Sequence, residues 1–283
     1  MTSGCYQRSS QNIHNNVINS VKRIAADKLL VRYTEGVKNV LELRCLKNGT
    51  LIHRFDLAPG SISSISVEDK DDTEFFFNLQ NHLSPSMVYH RKVVPTVSCK
   101  VIKEVHLANT DLSQFPVEQV LYPSKDGIKI PMYLLRKKDV KFDSTAPVLL
   151  YGYGGFNSNL MPRFSVSNLV FVDGFNGVHA VANIRGGGEY GEKWHEAGML
   201  SRKQNVFDDF QAAVEYLIEK KYTSPSKITI QGGSNGGTLV GACVNQRPEL
   251  HGAAIAQVGV MDMLRFQKFT IGYTWLLGQQ GKF

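Results

Sequence analysis

The rhythm of apolar and polar residues changes once along this chain, near residue 110. Before that point apolar positions alternate with polar ones in short runs. Ala25–Tyr33, Val40–Leu46, Leu51–Asp56, Ser61–Glu68, Glu74–Leu79 and Met87–Arg91 all read as strands. Clusters of Asp, Pro, Gly and Ser separate them, and Asn48-Gly49 marks a tight hairpin between the second run and the third. About eight short strands in a hundred residues predict stacked antiparallel sheets. A propeller blade takes roughly 40–50 residues, so the segment holds about two blades; a small β-sandwich is the competing arrangement.

From about Val117 strands and helices alternate. Gln119–Tyr122 and Lys129–Leu135 predict a hairpin that turns at Lys125-Asp126-Gly127. Pro147–Tyr151 is almost wholly apolar, as expected of a strand covered on both faces, and Val178–Ile184 resembles it. Val206, Phe207, Phe210, Ala213, Val214, Leu217 and Ile218 recur at helical spacing, so Asn205–Lys221 predicts an amphipathic helix. Lys227–Gln231 predicts a strand, Thr238–Asn245 a helix and Ala253–Val258 a strand. This βαβ succession implies a mostly parallel sheet covered by helices. The expected domains are therefore an all-β unit over 1–110 and an α/β unit over 111–283.

Composition narrows the function classes. The apolar fraction of 42% supports a real core, and the formal charge is +7. The basic residues are scattered, as in Arg136-Lys137-Lys138 and Lys220-Lys221, with carboxylates nearby. A nucleic-acid binder would gather them in a stripe, so no nucleic-acid partner is expected. Cys5, Cys45, Cys99 and Cys243 lack zinc-ligand or redox spacing, and no His, Cys and carboxylate cluster has ligand spacing. No metal or organic cofactor is expected. Met1–Ser20 lacks the apolar stretch of a signal peptide, and no run of about 18 apolar residues exists. A cytoplasmic monomer without membrane association is expected.

The chemistry concentrates at Gly232-Gly233-Ser234-Asn235-Gly236-Gly237. A Gly-x-Ser-x-Gly turn that follows a β-branched strand and opens a helix is the nucleophile elbow of an α/β-hydrolase. Small neighbours let the strand and helix clear a strained serine, and the helix N-terminus favours developing negative charge. Ser234 is the candidate nucleophile. Acyl transfer also needs donors for the tetrahedral oxyanion. The backbone N–H of Asn235 is the first candidate. The loop Tyr151-Gly152-Tyr153-Gly154-Gly155-Phe156, after an earlier strand, is placed to supply the second, and a tyrosine hydroxyl can donate.

These residues carry a specific resemblance. The elbow, Tyr151–Phe156, the run Ala182–Gly191, Asn205–Tyr216 and Gln246–Met263 resemble the prolyl oligopeptidase family of serine peptidases. Related peptidases carry another residue after the serine, so Asn235 favours this branch. The resemblance covers almost the whole chain. The first hundred residues resemble the last blades of the family's seven-bladed propeller, and the rest resembles the front half of its α/β-hydrolase-type peptidase domain.

The resemblance implies cleavage of short peptides after proline through an acyl-enzyme on Ser234. Tyr153 and the Asn235 amide would form the oxyanion hole. Trp275 would stack on the substrate proline, with Phe156 and Val260 lining the same pocket; a flat indole on a rigid pyrrolidine ring is a favourable apolar contact. The family's acid and base lie beyond two further strands. His251 is the one histidine after Ser234 and precedes Ala253–Val258, Asp262 comes too early, and His179 and His195 precede the serine. No catalytic acid or base is assigned, so the chain is expected to be inactive alone and Ala253–Val258 to form a bare sheet edge. Leu276–Phe283 departs from the family pattern. The alternatives are a non-catalytic truncated isoform that binds peptide or regulates, and an unrelated esterase, which Asn235 and Trp275 argue against.

Overall fold

The computed structural model describes residues 16–108, 110–270, 272, 273 and 275. The signal-peptide expectation for Met1–Ser20 falls largely outside them, and Leu276–Phe283 wholly so. The first part is eight strands in two antiparallel sheets. β1 (Val17–Ile24), β2 (Lys28–Glu35), β3 (Lys38–Cys45) and β4 (Leu51–Arg54) pair in chain order. So do β5 (Ser61–Ser66), β6 (Glu74–Gln80), β7 (Met87–Lys92) and β8 (Ser98–Glu104). Phe75 and Phe77 point to one face of β6 and pack with Phe55, Leu41 and Leu43 from the other sheet, so the two sheets share one core. The hairpin at Asn48-Gly49 forms as the sequence predicts, with Gly49 at φ 71° and Cys45 donating its N–H to the Thr50 carbonyl.

Three local readings change. Ala25–Tyr33 is not one strand: Ala25 and Ala26 have φ of 49° and 56° and turn β1 into β2. Their N–H groups donate to the carbonyls of Asp72 and Lys70 on the neighbouring sheet, so a tertiary contact sets the turn. β8 escaped the pattern because all seven of its residues are exposed. The helix α1 (Val166–Phe175) escaped it because its sequence is apolar on nearly every side, with only Leu169 and Val172 buried.

The second part is one six-stranded sheet. It contains β9 (Val117–Pro123), β10 (Lys129–Leu135), β11 (Val148–Tyr151), β12 (Val178–Ala182), β13 (Ile228–Gly233) and β14 (Ala253–Gln257). Their order is β14-β13-β11-β12-β10-β9, with β11 to β14 parallel and β9–β10 an antiparallel hairpin at one end. After α1 come the short α2 (Glu192–Glu196), then α3 (Gln204–Glu219) and α4 (Asn235–Gln246). The amphipathic reading of α3 holds: Val206, Phe210, Ala213, Val214 and Leu217 are buried against the sheet. β11 is less enclosed than expected, with Leu149 and Tyr151 only partly covered. At the other end all five residues of β14 are exposed. The chain steps from β11 to β12 and then crosses back to β13, so strand order reverses at the β11–β13 pair. Sheets of this kind bind ligands at the carboxyl ends of such a pair.

The two parts meet along a polar seam. Tyr133 donates its hydroxyl to the Val37 carbonyl at 3.2 Å, and Ser61 donates to the Pro162 carbonyl at 2.8 Å. The buried His82, between β6 and β7, packs its ring 5.1 Å from that of Tyr133 on β10.

Candidate active site

Ser234 ends β13 at its carboxyl end with φ 55° and ψ −117°, a conformation that L-residues avoid. It directly precedes α4, which begins at Asn235, three residues earlier than the helical pattern indicated. Its hydroxyl makes no capping bond to that helix. The backbone carries the strain because neighbours hold it: the Ser234 N–H donates to the Gln257 carbonyl at 2.9 Å, and its carbonyl accepts from Gly237 and Thr238.

Two glycines permit the close packing. A Cβ on Gly232 would overlap the Gly236 carbonyl, and one on Gly236 would lie 2.5 Å from the Gly152 carbonyl oxygen. Strand, elbow and the loop after β11 thus touch backbone to backbone. Gly232→Ala is expected to cost about 1–3 kcal/mol in thermal or urea unfolding. Gly233→Ala, where a Cβ meets open space, is expected to be close to neutral.

The loop after β11 is bound to the elbow. The buried Asn235 donates from Nδ2 to the Tyr153 carbonyl at 2.6 Å. On the other flank, Thr238 on α4 donates to the Val260 carbonyl at 3.0 Å and accepts from the Val260 N–H at 3.2 Å. These bonds gather Ser234, Asn235, Tyr153 and Val260 around one helix N-terminus. Phe156 reaches Trp275 instead, the two rings lying edge to face with centroids 5.0 Å apart. The neighbouring Tyr151 hydroxyl has its pKa raised by burial first and by Tyr153 second.

Of the histidines named from sequence, His251 and His179 lie below the elbow and His195 contacts the loop after β11. β13 and β14 run parallel with Thr229 opposite Ala253 and Gly233 opposite Gln257. His251 precedes β14, so it stands at the amino end of the sheet, level with Lys227 and about 23 Å along the strands from Ser234 at roughly 3.3 Å per residue. His179 pairs with Leu149, which pairs with Thr229, again several residues below the elbow. It is buried, and desolvation pushes its pKa down to about 3. His195 sits on α2, where Nδ1 lies 2.8 Å from the Gly186 carbonyl and 3.1 Å from the Asn157 N–H. It braces two loops against each other.

Sequence reasoning passed over the groups beneath these loops. Arg185 and Asp209, both buried, form a two-pronged ion pair with Nε–Oδ2 at 2.9 Å and Nη2–Oδ1 at 2.5 Å. Ser124 donates to Asp209 at 2.5 Å, and Arg185 also reaches Asp126 at 2.5 Å. The signal available was a charged residue of each sign inside otherwise apolar or glycine-rich runs. Arg185 begins the glycine-rich turn whose Gly186 carbonyl accepts from Asn157 at 3.2 Å.

Comparison with known proteins gives this geometry its context. A profile described as the prolyl oligopeptidase N-terminal β-propeller domain matches residues 11–102, and one for the prolyl oligopeptidase family matches 162–282. The chain is 44% identical over 263 residues to a prolyl endopeptidase of Dictyostelium discoideum, covering 92% of this chain and 34% of that protein. It is 44% identical over 254 residues to prolyl oligopeptidase ophP of Omphalotus olearius, again over 34% of that protein. Among solved structures, prolyl oligopeptidase B of Galerina marginata bound to a 35mer hydrolysis and macrocyclization substrate matches with a TM-score of 0.88 and 35% identity, covering 94% of this chain and 38% of that one. The chain therefore spans about a third of the length of the curated relatives it matches. The antiparallel sheets that match the propeller profile, the mixed sheet that matches the peptidase profile, and these relatives together show that the chain belongs to the prolyl oligopeptidase family.

Proposed function

We propose that this chain carries the nucleophile and pocket of a serine endopeptidase that cleaves short peptides after proline. The observation that carries the reading is the left-handed Ser234 at the carboxyl end of β13, with the loop after β11 bonded to Asn235. Ser234 Oγ attacks the carbonyl carbon of the bond after proline, and its proton passes to a base. The oxygen becomes an oxyanion, accepted by the Asn235 N–H and the Tyr153 hydroxyl. Collapse breaks the C–N bond, the amine leaves with a proton, and water releases the acyl group. Trp275, with Phe156 at its edge, takes the proline ring, where apolar stacking is favourable, and Val260 is assigned to the same pocket by the family resemblance. In this reading 1–110 serves as two propeller blades and 111–283 as part of the peptidase domain.

His251 and His179 lie well below Ser234 along the strands, and the Nδ1 of His195 is engaged with the Gly186 carbonyl and the Asn157 N–H, so this reading assigns the serine proton to none of the three. A serine without a base is a weakly nucleophilic hydroxyl, with turnover roughly a million-fold below a complete triad. The same observation favours the second reading, a peptide-binding fragment without catalysis. The 283-residue chain is therefore expected to bind a fluorogenic Gly-Pro reporter peptide, and Trp275→Ala to weaken that binding. Hydrolysis is expected to be no faster than for Ser234→Ala. Hydrolysis that vanishes in Ser234→Ala would keep the peptidase reading and sink the argument about the base. Neither binding nor hydrolysis by folded protein would sink both readings.

A further inference from the structure

The loop over residues 152–157 is held in an uncommon shape. Gly154, Phe156 and Asn157 have φ of 64°, 55° and 54°. Gly154 and Gly155 are consecutive, so the peptide between them can flip with little steric hindrance. A flip exchanges the directions of the Gly154 carbonyl and the Gly155 N–H, because the two point oppositely across a trans peptide. It would also disturb the flanking Tyr153 and Phe156. One interaction selects the observed orientation: Lys203 Nζ donates to the Gly154 carbonyl at 2.9 Å.

Two local features disfavour a cation at Lys203. It stands immediately before α3, where the helix N-terminus disfavours a cation. Its head group is desolvated, and burial alone pushes its pKa down to about 8. Its one recorded hydrogen-bond partner among the described residues is the Gly154 carbonyl. A residue that breaks local rules is explained by the contact it makes. The Gly154 carbonyl is also pressed against Gly186, where a Cβ would lie 2.6 Å from its oxygen, so the inward orientation fits a cavity with no spare room.

We propose that Lys203 is a positioning residue: its ammonium locks the Gly154–Gly155 peptide and so presents Tyr153 and Phe156 to the substrate. The importance of those two side chains rests on the function proposed above; the lock itself does not. The test compares the whole chain with Lys203→Met and Lys203→Arg by amide hydrogen exchange, beside fluorescence titration with a Gly-Pro peptide. Lys203→Met is expected to speed exchange at residues 153–157 at least about tenfold and to weaken peptide binding by a similar factor, as for loss of a hydrogen bond to a charged group. Lys203→Arg, which keeps the charge, is expected to restore most of both. Exchange unchanged at 153–157, or raised equally throughout β10 and β12, would overturn the proposal. If the parent chain binds no peptide while exchange responds as expected, the substrate reading fails and the lock stands.

Discussion

Replacing Asp209 with alanine is expected to destabilise the six-stranded sheet and its helices by about 3–5 kcal/mol, a large part of the stability of an ordinary domain. Asp209 is fully buried and accepts from Arg185 through both carboxylate oxygens, from the Arg185 backbone N–H at 3.0 Å and from Ser124. Removing it leaves a buried guanidinium with only the Ser124 hydroxyl and Asp126 beside it. Asp126 would compensate only in part, because its side chain is 46% exposed and solvent weakens that pair. The opposing ions hold Arg185 charged, with its pKa raised by Asp209 and Asp126 despite the burial that works against it. The charge cannot be shed. Urea unfolding measures the loss. The double variant Arg185→Met/Asp209→Leu is expected to recover most of it, because it removes both charges together. A double variant as unstable as Asp209→Ala would mean that the bonds to Ser124 and the turn at residue 185 matter more than the unpaired charge.

Acid is expected to loosen the seam between the strand-rich part and the mixed sheet. His82 and His179 lie together, lining a cavity of about 380 Å³ with Tyr151, Arg163, Asn168 and Gln231. Burial pushes the pKa of His82 down to about 4 and that of His179, with a further push from His82, down to about 3. In the unfolded chain each titrates near 6.5. Both histidines are therefore neutral when folded and take up a proton on unfolding. Stability from this source is complete above about pH 6.5 and is lost as pH falls towards 4 and 3. At pH 5 the loss is about 2 kcal/mol for each histidine. Glu189 works in the opposite sense: burial raises its pKa, so its contribution is present in acid and fades as pH rises. Urea midpoints between pH 7 and pH 5 measure the slope. His82→Phe/His179→Leu is expected to flatten it, and a slope unchanged in that variant would place the acid sensitivity elsewhere.

The parts legible from sequence were those that neighbouring residues decide among themselves. The elbow was legible because a β-branched strand, four glycines and one serine fall within eleven positions. Three of the glycines, 232, 236 and 237, answer a contact within the turn or just across from it, such as Gly232 against Gly236, whereas Gly233 meets open space. The apolar stripe of α3 was legible because the helical repeat brings Val206, Phe210 and Leu217 to one side whatever they later touch. The hairpin turns at Gly49 and Gly127 were legible because both need a positive φ that glycine adopts freely.

Other features have no local signature. The turn at Ala25-Ala26 depends on carbonyls of Lys70 and Asp72. Asp209 meets Ser124 across 85 residues of sequence, and Lys203 meets Gly154 across 49. His251 could be excluded as a base by its family position, but its physical distance follows only from the parallel pairing of β13 and β14. By itself the sequence determined the glycine-rich elbow that makes Ser234 the candidate nucleophile, the apolar stripe of α3 and the hairpin turns at Gly49 and Gly127, because spacing and backbone sterics act within a few residues. Tertiary structure alone decided the strand order, the crevice at β11 and β13, and the buried cations that brace its loops. Those depend on which distant segments exclude water from one another, and a buried charge shows its partner only after that water is gone.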